Sequence, residues 1–228
     1  MCGGTNFHDY VILWDDLAAE WQLSPAERNY VDRQQGTCCT ACGSNLRSIA
    51  LANAVMDAFG HKGLFKDFVA DETAAKLKVL EINEAGQLGS WLRRLPGHVF
   101  AAYPAIDMHQ MPYETGHFDL VVHSDTLEHV ANPLHALAEC RRVLAPAGAL
   151  CYTVPVIVGR LTRRRAGLPK SFHGDSTNER DDYVVHTEYG CDMWTELMEA
   201  GFDSVSIHAV EFPSALALCA KKQRSAIR

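Results

Sequence analysis

The spacing of apolar positions changes character near residue 77. Before that point the period is helical. "SPAERNYVDRQ" offers Ser24 as N-cap, Pro25 at the first helical position and Glu27 three residues after the cap, which together make a capping box. "SNLRSIALANAVMDAFG" sets Leu46, Ile49, Ala50, Val55, Met56 and Phe59 near helical spacing, with Gly60 as the stop. Beyond residue 77, short apolar runs alternate with helical patterns. "LKVLEI", "HVFAAY", "FDLVVHS" and "ALCYTVPV" predict strands, and "GSWLRRL" predicts a short helix. "NPLHALAECRRVLAPAG" predicts a helix capped by Asn132, opened by Pro133 and ended by Pro146 with Gly148. Strands alternating with helices imply a parallel sheet covered on both faces.

The polar stretch "GRLTRRRAGLPKSFHGDSTNERDDYVVHTEYG" is too long for a plain connection and reads as a lid over about residues 159–190. "CDMWTELMEAGF" then predicts a helix. "SVSIHAV" and "SALALCA" predict a closing antiparallel hairpin at one end of the sheet. The organisation expected is an N-terminal helical segment, 1–76, followed by one α/β domain, 77–228.

Composition narrows the function classes. The 228 residues suffice for one domain with an accessory segment. A net charge of -7 argues against general nucleic-acid binding. No apolar run approaches the roughly 20 residues of a membrane span, and "MCGGTNFHDYVILWDD" has no basic region ahead of its apolar stretch, so neither a membrane span nor a signal peptide is expected. Eight scattered cysteines, with Cys140 and Cys151 in apolar periodic runs, fit a reducing compartment, and the cytoplasm is the expected one.

"GTCCTACGSNLRS" raises a metal question. Cys39 and Cys42 have the spacing of half a zinc knuckle, with Cys38 adjacent, but no second Cys-x-x-Cys follows. A further ligand would have to come from Cys2, His8 or a distant residue. The reading preferred from the sequence is a tight turn without metal, bent by Gly43 and followed by Ser44 or Asn45 as the next helix cap. Arg47, at that helix start, is a candidate to reach a cofactor or substrate.

Three stretches together, "KVLEI", "FDLVVHSDTLEHVANPLHALAECRRVLAPAGALCYTVPV" and "HTEYGCDMWTELMEAGF", resemble a class I S-adenosylmethionine-dependent methyltransferase of the type 11 group over about residues 77–220. The resemblance implies a Rossmann-like, doubly wound, mostly parallel sheet with a final antiparallel strand, S-adenosylmethionine as cofactor and a small-molecule acceptor. Position by position, it implies that Glu81 anchors the methionine amino group. Asn83, Ala85 and Gly86 would form the turn over the methionine part. Asp107, beside Met108, would contact adenine, and His123 and Ser124 would lie under the sulfonium.

Two departures stand out. The usual acid-Gly-x-Gly-x-Gly loop is replaced by "EINEAGQLG". The stretch from Leu80 to Phe118 is short, so a helix and a strand are expected to be missing. The acid that normally holds the ribose gives way to Ala101, Ala102 and Tyr103, which leaves Tyr103 or backbone groups for that task. The glycine loss does not exclude the cofactor. A dinucleotide needs glycines to bring backbone N–H groups against its pyrophosphate, whereas S-adenosylmethionine has no phosphate. The same loop argues against a nicotinamide dinucleotide.

"SDTLEHV" places Asp125, Glu128 and His129 at i, i+3 and i+4 if it is helical. Three readings stay open for this group: structural hydrogen bonds, a general base supplied by Asp125 or His129, or a divalent-metal site of the kind seen in ubiquinone-type O-methyltransferases. In the lid, Arg160, Arg163, Arg164, Arg165 and Lys170 either receive an anionic substrate or form a solvated basic loop. His173, His186 and Glu188 complete the acceptor-side candidates, the histidines as bases near neutral pH. Set against a methyltransferase is a catalytically silent, methyltransferase-like domain that binds or regulates a partner.

Overall fold

The structure, a computed structural model, describes residues 1–172 and 181–222. The N-terminal segment runs through strand β1 (Phe7–Asp9), helices α1 (Asp15–Glu20) and α2 (Pro25–Gly36), strand β2 (Thr37–Cys39) and helices α3 (Leu46–Ala58) and α4 (Phe65–Phe68). The capping box on α2 forms as expected, with the Glu27 N–H donating to Ser24 and the Ser24 N–H to Glu27. Asn45, rather than Ser44, caps α3. The segment is not wholly helical, because β1 and β2 pair into an antiparallel ribbon. Gly36 makes the approach possible: a Cβ there would sit 2.1 Å from the Tyr10 carbonyl oxygen.

The sheet then builds from β3 (Val79–Ile82), helix α5 (Gly89–Leu92), β4 (His98–Ala101), β5 (Phe118–Ser124), helix α6 (Pro133–Val143) and β6 (Leu144–Thr153). Next come short strands β7 (Val156–Ile157), β8 (Arg163–Arg164) and β9 (Thr187–Gly190), helix α7 (Thr195–Glu199), and the hairpin β10 (Ser204–Val210) and β11 (Ala215–Lys221). The main sheet has six strands in the order β10-β11-β6-β5-β3-β4. β3, β4, β5 and β6 are parallel, and β11 lies antiparallel to β6. This is the Rossmann-like sheet with a reversed final strand. Among the described residues no strand lies between β4 and β5, so β4 is the edge and leaves Phe100 half-exposed.

Strand alternation sorts the core into two layers. Val79, Leu120, Val122 and Cys151 face α3, whose Ala50, Leu51, Ala54 and Val55 are fully buried. Leu80, Val121, Leu150 and Tyr152 face α6, through Ala136, Leu137, Cys140 and Val143. α3 therefore belongs to the same core as the sheet. A third cluster joins Leu17, Trp21 and Val31 of the N-terminal helices to Ile157 and Val185. Within the 159–190 stretch, β8 and β9 join β7, just before it, in a small three-stranded sheet in the order β7-β9-β8.

Two local expectations change. α6 stops at Val143 and the chain enters β6 at once, since Pro146 has no N–H and bars helix from the residue before it. "SDTLEHV" is not an α-helix but a tight 3-10 turn over Leu127–His129, entered through Asp125 at φ 44°.

Candidate functional site

A cavity of about 620 Å³ opens at the carboxyl ends of β3, β4 and β5. The chain leaves β3 for β4 on one side and returns to β5 on the other, so the cavity lies at the switch point of the sheet. Its volume is that of an ordinary small-molecule site.

Asn83 ties the three strand ends together. It stands at φ 52°, a left-handed conformation that asparagine tolerates better than most residues. Its backbone N–H donates to the Ala101 carbonyl at 2.7 Å, its Oδ1 accepts from the Tyr103 N–H at 3.1 Å, and its amide donates to Thr126 Oγ1 at 3.4 Å. Asn83 and Tyr103 line the cavity. Ala85 and Gly86 do not. Gly86, at φ 55°, turns the loop against α3, where an added Cβ would meet Ser48 Oγ at 3.0 Å.

Glu81 sits below this turn and is fully buried. One carboxylate oxygen accepts the Ala85 N–H at 2.9 Å, and the other pairs with His98 Nε2 at 2.7 Å. Gly89 clears the space, since a Cβ there would lie 2.3 Å from Glu81 Oε1. Glu81 thus holds the turn from inside and is not on the cavity wall. His98 had no sequence signal beyond opening a predicted strand.

The far wall is Asp107, Met108, Phe100 and Ile106. Asp107 Oδ1 accepts the His109 N–H at 2.8 Å and pairs with His109 Nδ1 at 2.7 Å. The backbone N–H of His109, helped by its ring, holds the Asp107 carboxyl below its usual range against the opposing effect of burial. His109 Nε2 accepts the Asn132 N–H at 3.2 Å, so Nδ1 carries the proton toward Asp107.

The floor carries Ser124, Asp125 and Thr126. Ser124 Oγ and Thr153 Oγ1 are 2.8 Å apart. Asp125 forms an ion pair with Arg47 and accepts from Gln35 Nε2 at 3.2 Å. Arg47 is buried, with its pKa lowered to about 10 by that burial. It reaches the site from α3 through Asp125 and does not line the cavity. His123 lies beneath the floor rather than on it, stacked on Tyr152 with ring centroids 4.7 Å apart, and burial pushes it down to about 3.

His129 and His186 both line the cavity. The His129 Nδ1–H donates to the Val184 carbonyl at 3.1 Å, and the His186 N–H donates to the Glu128 carbonyl at 2.7 Å. Burial, then the neighbouring His129 and Lys170, lower the pKa of His186. Burial raises that of Glu128, against the opposing pull of His129 and Arg47. Among the described residues, Asp125, Glu128 and His129 do not bring three ligand atoms together as a metal would require.

The lid arginines meet carboxylates instead of the cavity. Arg160 pairs with Glu27 at 2.8 Å and donates to the Trp21 and Gln22 carbonyls at 2.8 and 2.7 Å. Arg163 pairs with Glu188 at 2.7 Å, Arg164 with Glu196, and Arg165 with Glu188 and Glu20. Arg160, Arg163 and Glu188 line a separate depression of about 150 Å³. The sequence showed the positive charges but not the acids that neutralise them, so the expectation of an anionic substrate loses its physical basis. His173 lies outside the described residues. Phe100, Ile106, His109, Thr126, Asp182 and Tyr183 are cavity residues that the sequence did not single out. Only Phe100 carried a signal, as a large apolar residue on the strand left at the edge.

Residues 63–152 match the family profile described as a methyltransferase domain, Methyltransf_11. An uncharacterized 37.1 kDa protein in transposon TN4556 of Streptomyces fradiae is 47% identical over 49 residues, which are 22% of this chain and 14% of that protein. The trans-methyltransferase CalH, solved with S-adenosylhomocysteine (SAH), superposes with a TM-score of 0.45 at 16% identity, over 90% of this chain and 61% of its own. A methyltransferase of Thermotoga maritima, described as a possible histamine N-methyltransferase, gives a TM-score of 0.42 at 13% identity, over 78% and 90% of the two chains. The chain thus spans less than two thirds of the length of the curated relative and of CalH. Among the described residues no helix is long and apolar enough to cross a membrane.

Proposed function

We propose that this chain, a member of the class I methyltransferases of the type 11 group through residues 63–152, binds S-adenosylmethionine in the switch-point cavity and methylates a small molecule there. The observation that carries the reading is the cavity itself: it opens at the strand ends where this fold takes its ligands, and Asn83, Asp107, Met108 and Ser124 line it.

The residues fit the cofactor. The described cavity wall includes Glu84, Asp107, Asp125 and Asp182 and neither lysine nor arginine, which suits a ligand bearing a sulfonium and an ammonium. Phe100, Ile106 and Met108 offer an apolar slot for adenine, and Asp107 an acceptor for its exocyclic amine. Asn83 and Tyr103 are left to hold the ribose. Glu81 acts on the cofactor only through the turn that it pins. When bound, S-adenosylmethionine supplies an electrophilic methyl group.

The same acidic wall favours a neutral or cationic acceptor, a hydroxyl or an amine. His186 is the base we assign. It faces the cavity, its backbone is fixed by Glu128, and burial keeps its imidazole neutral and able to accept a proton near pH 7. Asp125, held by Arg47, serves as a structural floor. The cytoplasm is the compartment we propose, since Cys140, Cys151 and Cys219 pack as buried thiols.

Calorimetric titration of the purified chain with S-adenosylmethionine and SAH tests the reading. Dissociation constants on the order of micromolar are expected, with Asp107→Ala weakening both about tenfold. His186→Gln should leave those affinities unchanged and lower turnover of an identified acceptor about a hundredfold. Binding of neither ligand overturns the proposal.

A further inference from the structure

Outside the cavity, the fold gathers three thiols from two separate places in the chain. The sulfur atoms of Cys2, Cys39 and Cys42 all lie within 4.8 Å of one another. Those of Cys2 and Cys39 are 3.8 Å apart, across 37 residues of sequence. That is far beyond the roughly 2.05 Å of a disulfide. It matches the separation of about 3.8 Å between two thiolates, each about 2.3 Å from a tetrahedral zinc ion. Cys42 needs to move by no more than about an ångström to complete a three-sulfur face.

Local structure separates these cysteines from the other candidates. Cys39 is buried, whereas Cys38, its neighbour on β2, projects to the opposite face, with its thiol 3.4 Å from the Gln35 carbonyl. His8 is the ribbon partner of Cys38 and shares that outer face, so neither joins the cluster. Cys42 is brought round by a tight turn in which the Gly43 N–H, at φ 72°, donates to the Cys39 carbonyl at 2.8 Å. Cys2 arrives from the irregular residues ahead of β1, and Gly4 lets them lie over the turn: a Cβ there would sit 2.8 Å from Cys39 Sγ.

The surroundings are those of a ligand shell. The Gly4 N–H donates to Cys2 Sγ at 3.3 Å, and Ser44 Oγ is 3.3 Å from Cys42 Sγ. The Gly4 N–H steadies thiolate charge on Cys2, and the Ser44 hydroxyl, which accepts from the Cys42 thiol, can turn to donate once that thiol ionises.

We propose that Cys2, Cys39 and Cys42 bind one zinc ion as thiolates, with water as the fourth ligand, clamping the residues ahead of β1 to the turn that precedes α3. Binding displaces the three thiol protons into solvent and involves no change of oxidation state. The clamp has a reach beyond itself, because the first turn of α3 carries Arg47 to Asp125 under the cavity floor. The site stands independently of the cofactor reading.

The test uses the full chain, expressed with zinc and purified under reductant without chelator. Elemental analysis should find about one zinc per chain, and Cys38→Ser, whose thiol points away, should keep it. Cobalt-substituted protein should show a thiolate-to-metal charge-transfer band, and Cys2→Ser should lose that band while retaining its circular dichroism. Cys2→Ser, at a partly buried position outside the core clusters, guards against misreading a core variant that fails to fold. Wild-type zinc below about 0.2 per chain, without a cobalt band, overturns the proposal. So does a band that survives Cys2→Ser and Cys42→Ser, or a Cys2–Cys39 disulfide in the protein prepared under reductant.

Discussion

His123 illustrates how a residue placed by family position takes on a different physical part. It was expected under the sulfonium, yet it packs against Tyr152 below the floor, with neither ring nitrogen hydrogen-bonded. Its folded pKa, pushed down to about 3 by burial, lies below the ordinary value of 6.5. As pH falls below 6.5 the unfolded chain takes up this proton and the folded chain does not, so stability declines through the window from 6.5 to 3. Urea unfolding at pH 7 and pH 5 should therefore show a steeper loss in wild type than in His123→Phe, by up to about 1.4 kcal/mol per pH unit. Equal losses would mean that the ring is protonated in the fold. The turn of Asn83 and Gly86 gives a second check. Gly86→Val faces both a left-handed backbone and Ser48, and should weaken SAH binding about tenfold or more, while Asn83→Gly, which accepts the left-handed backbone but loses the bonds to Tyr103 and Thr126, should weaken it less. The sequence displayed the missing glycines plainly. It did not display that the remaining one is needed for contact with α3.

At the scale of elements, what was legible rested on local chemistry. The Ser24–Glu27 capping box, the Asn132–Pro133 helix start and the valine-rich strand Phe118–Ser124 all depend on neighbours in sequence, and they form as read. "SDTLEHV" misled because its acid spacing suits a helix, while the real turn has partners on other elements: Arg47 pairs with Asp125, the Asp125 N–H donates to the Thr153 carbonyl and the His186 N–H to that of Glu128. The lid arginines misled for the same reason: Glu27 lies 133 residues from Arg160. Arg160 joins the 159–190 stretch to α2, and its hydrogen bonds, more than any other cause, hold the Glu27 carboxyl down to about 2. Arg160→Met should cost about 2 kcal/mol of stability in denaturant unfolding. Since the Glu27 pKa is depressed, the stabilisation from this pair is full above the ordinary 4.5 and fades as pH falls toward 2, so the gap between wild type and Arg160→Met should narrow in acid, leaving the part due to the Trp21 and Gln22 carbonyl bonds. A gap that does not narrow at low pH would assign the loss to those carbonyl bonds and the arginine stem rather than to Glu27.

Across the whole molecule, one arrangement connects the parts. The β1–β2 ribbon and the cysteine turn lead into α3, α3 packs on the sheet and supplies Arg47, and Arg47 holds Asp125 under a cavity that opens where the sheet changes direction. The alternating strands made that sheet readable from sequence. Loss of the strand beyond β4, inferred from a short Leu80–Phe118 interval, is what exposes Phe100 to the cavity. The cysteine cluster was half visible, as Cys39-x-x-Cys42, because its third member comes from 37 residues before Cys39. The central claim is that the cofactor occupies this cavity. Hydrogen–deuterium exchange of the full chain with and without saturating SAH addresses it directly. Slower exchange is expected in peptides spanning residues 82–88 and 103–109, with little change in β10 and β11. Unchanged exchange in both peptides at a saturating ligand concentration, or protection confined to the depression beside Arg160 and Arg163, would contradict it.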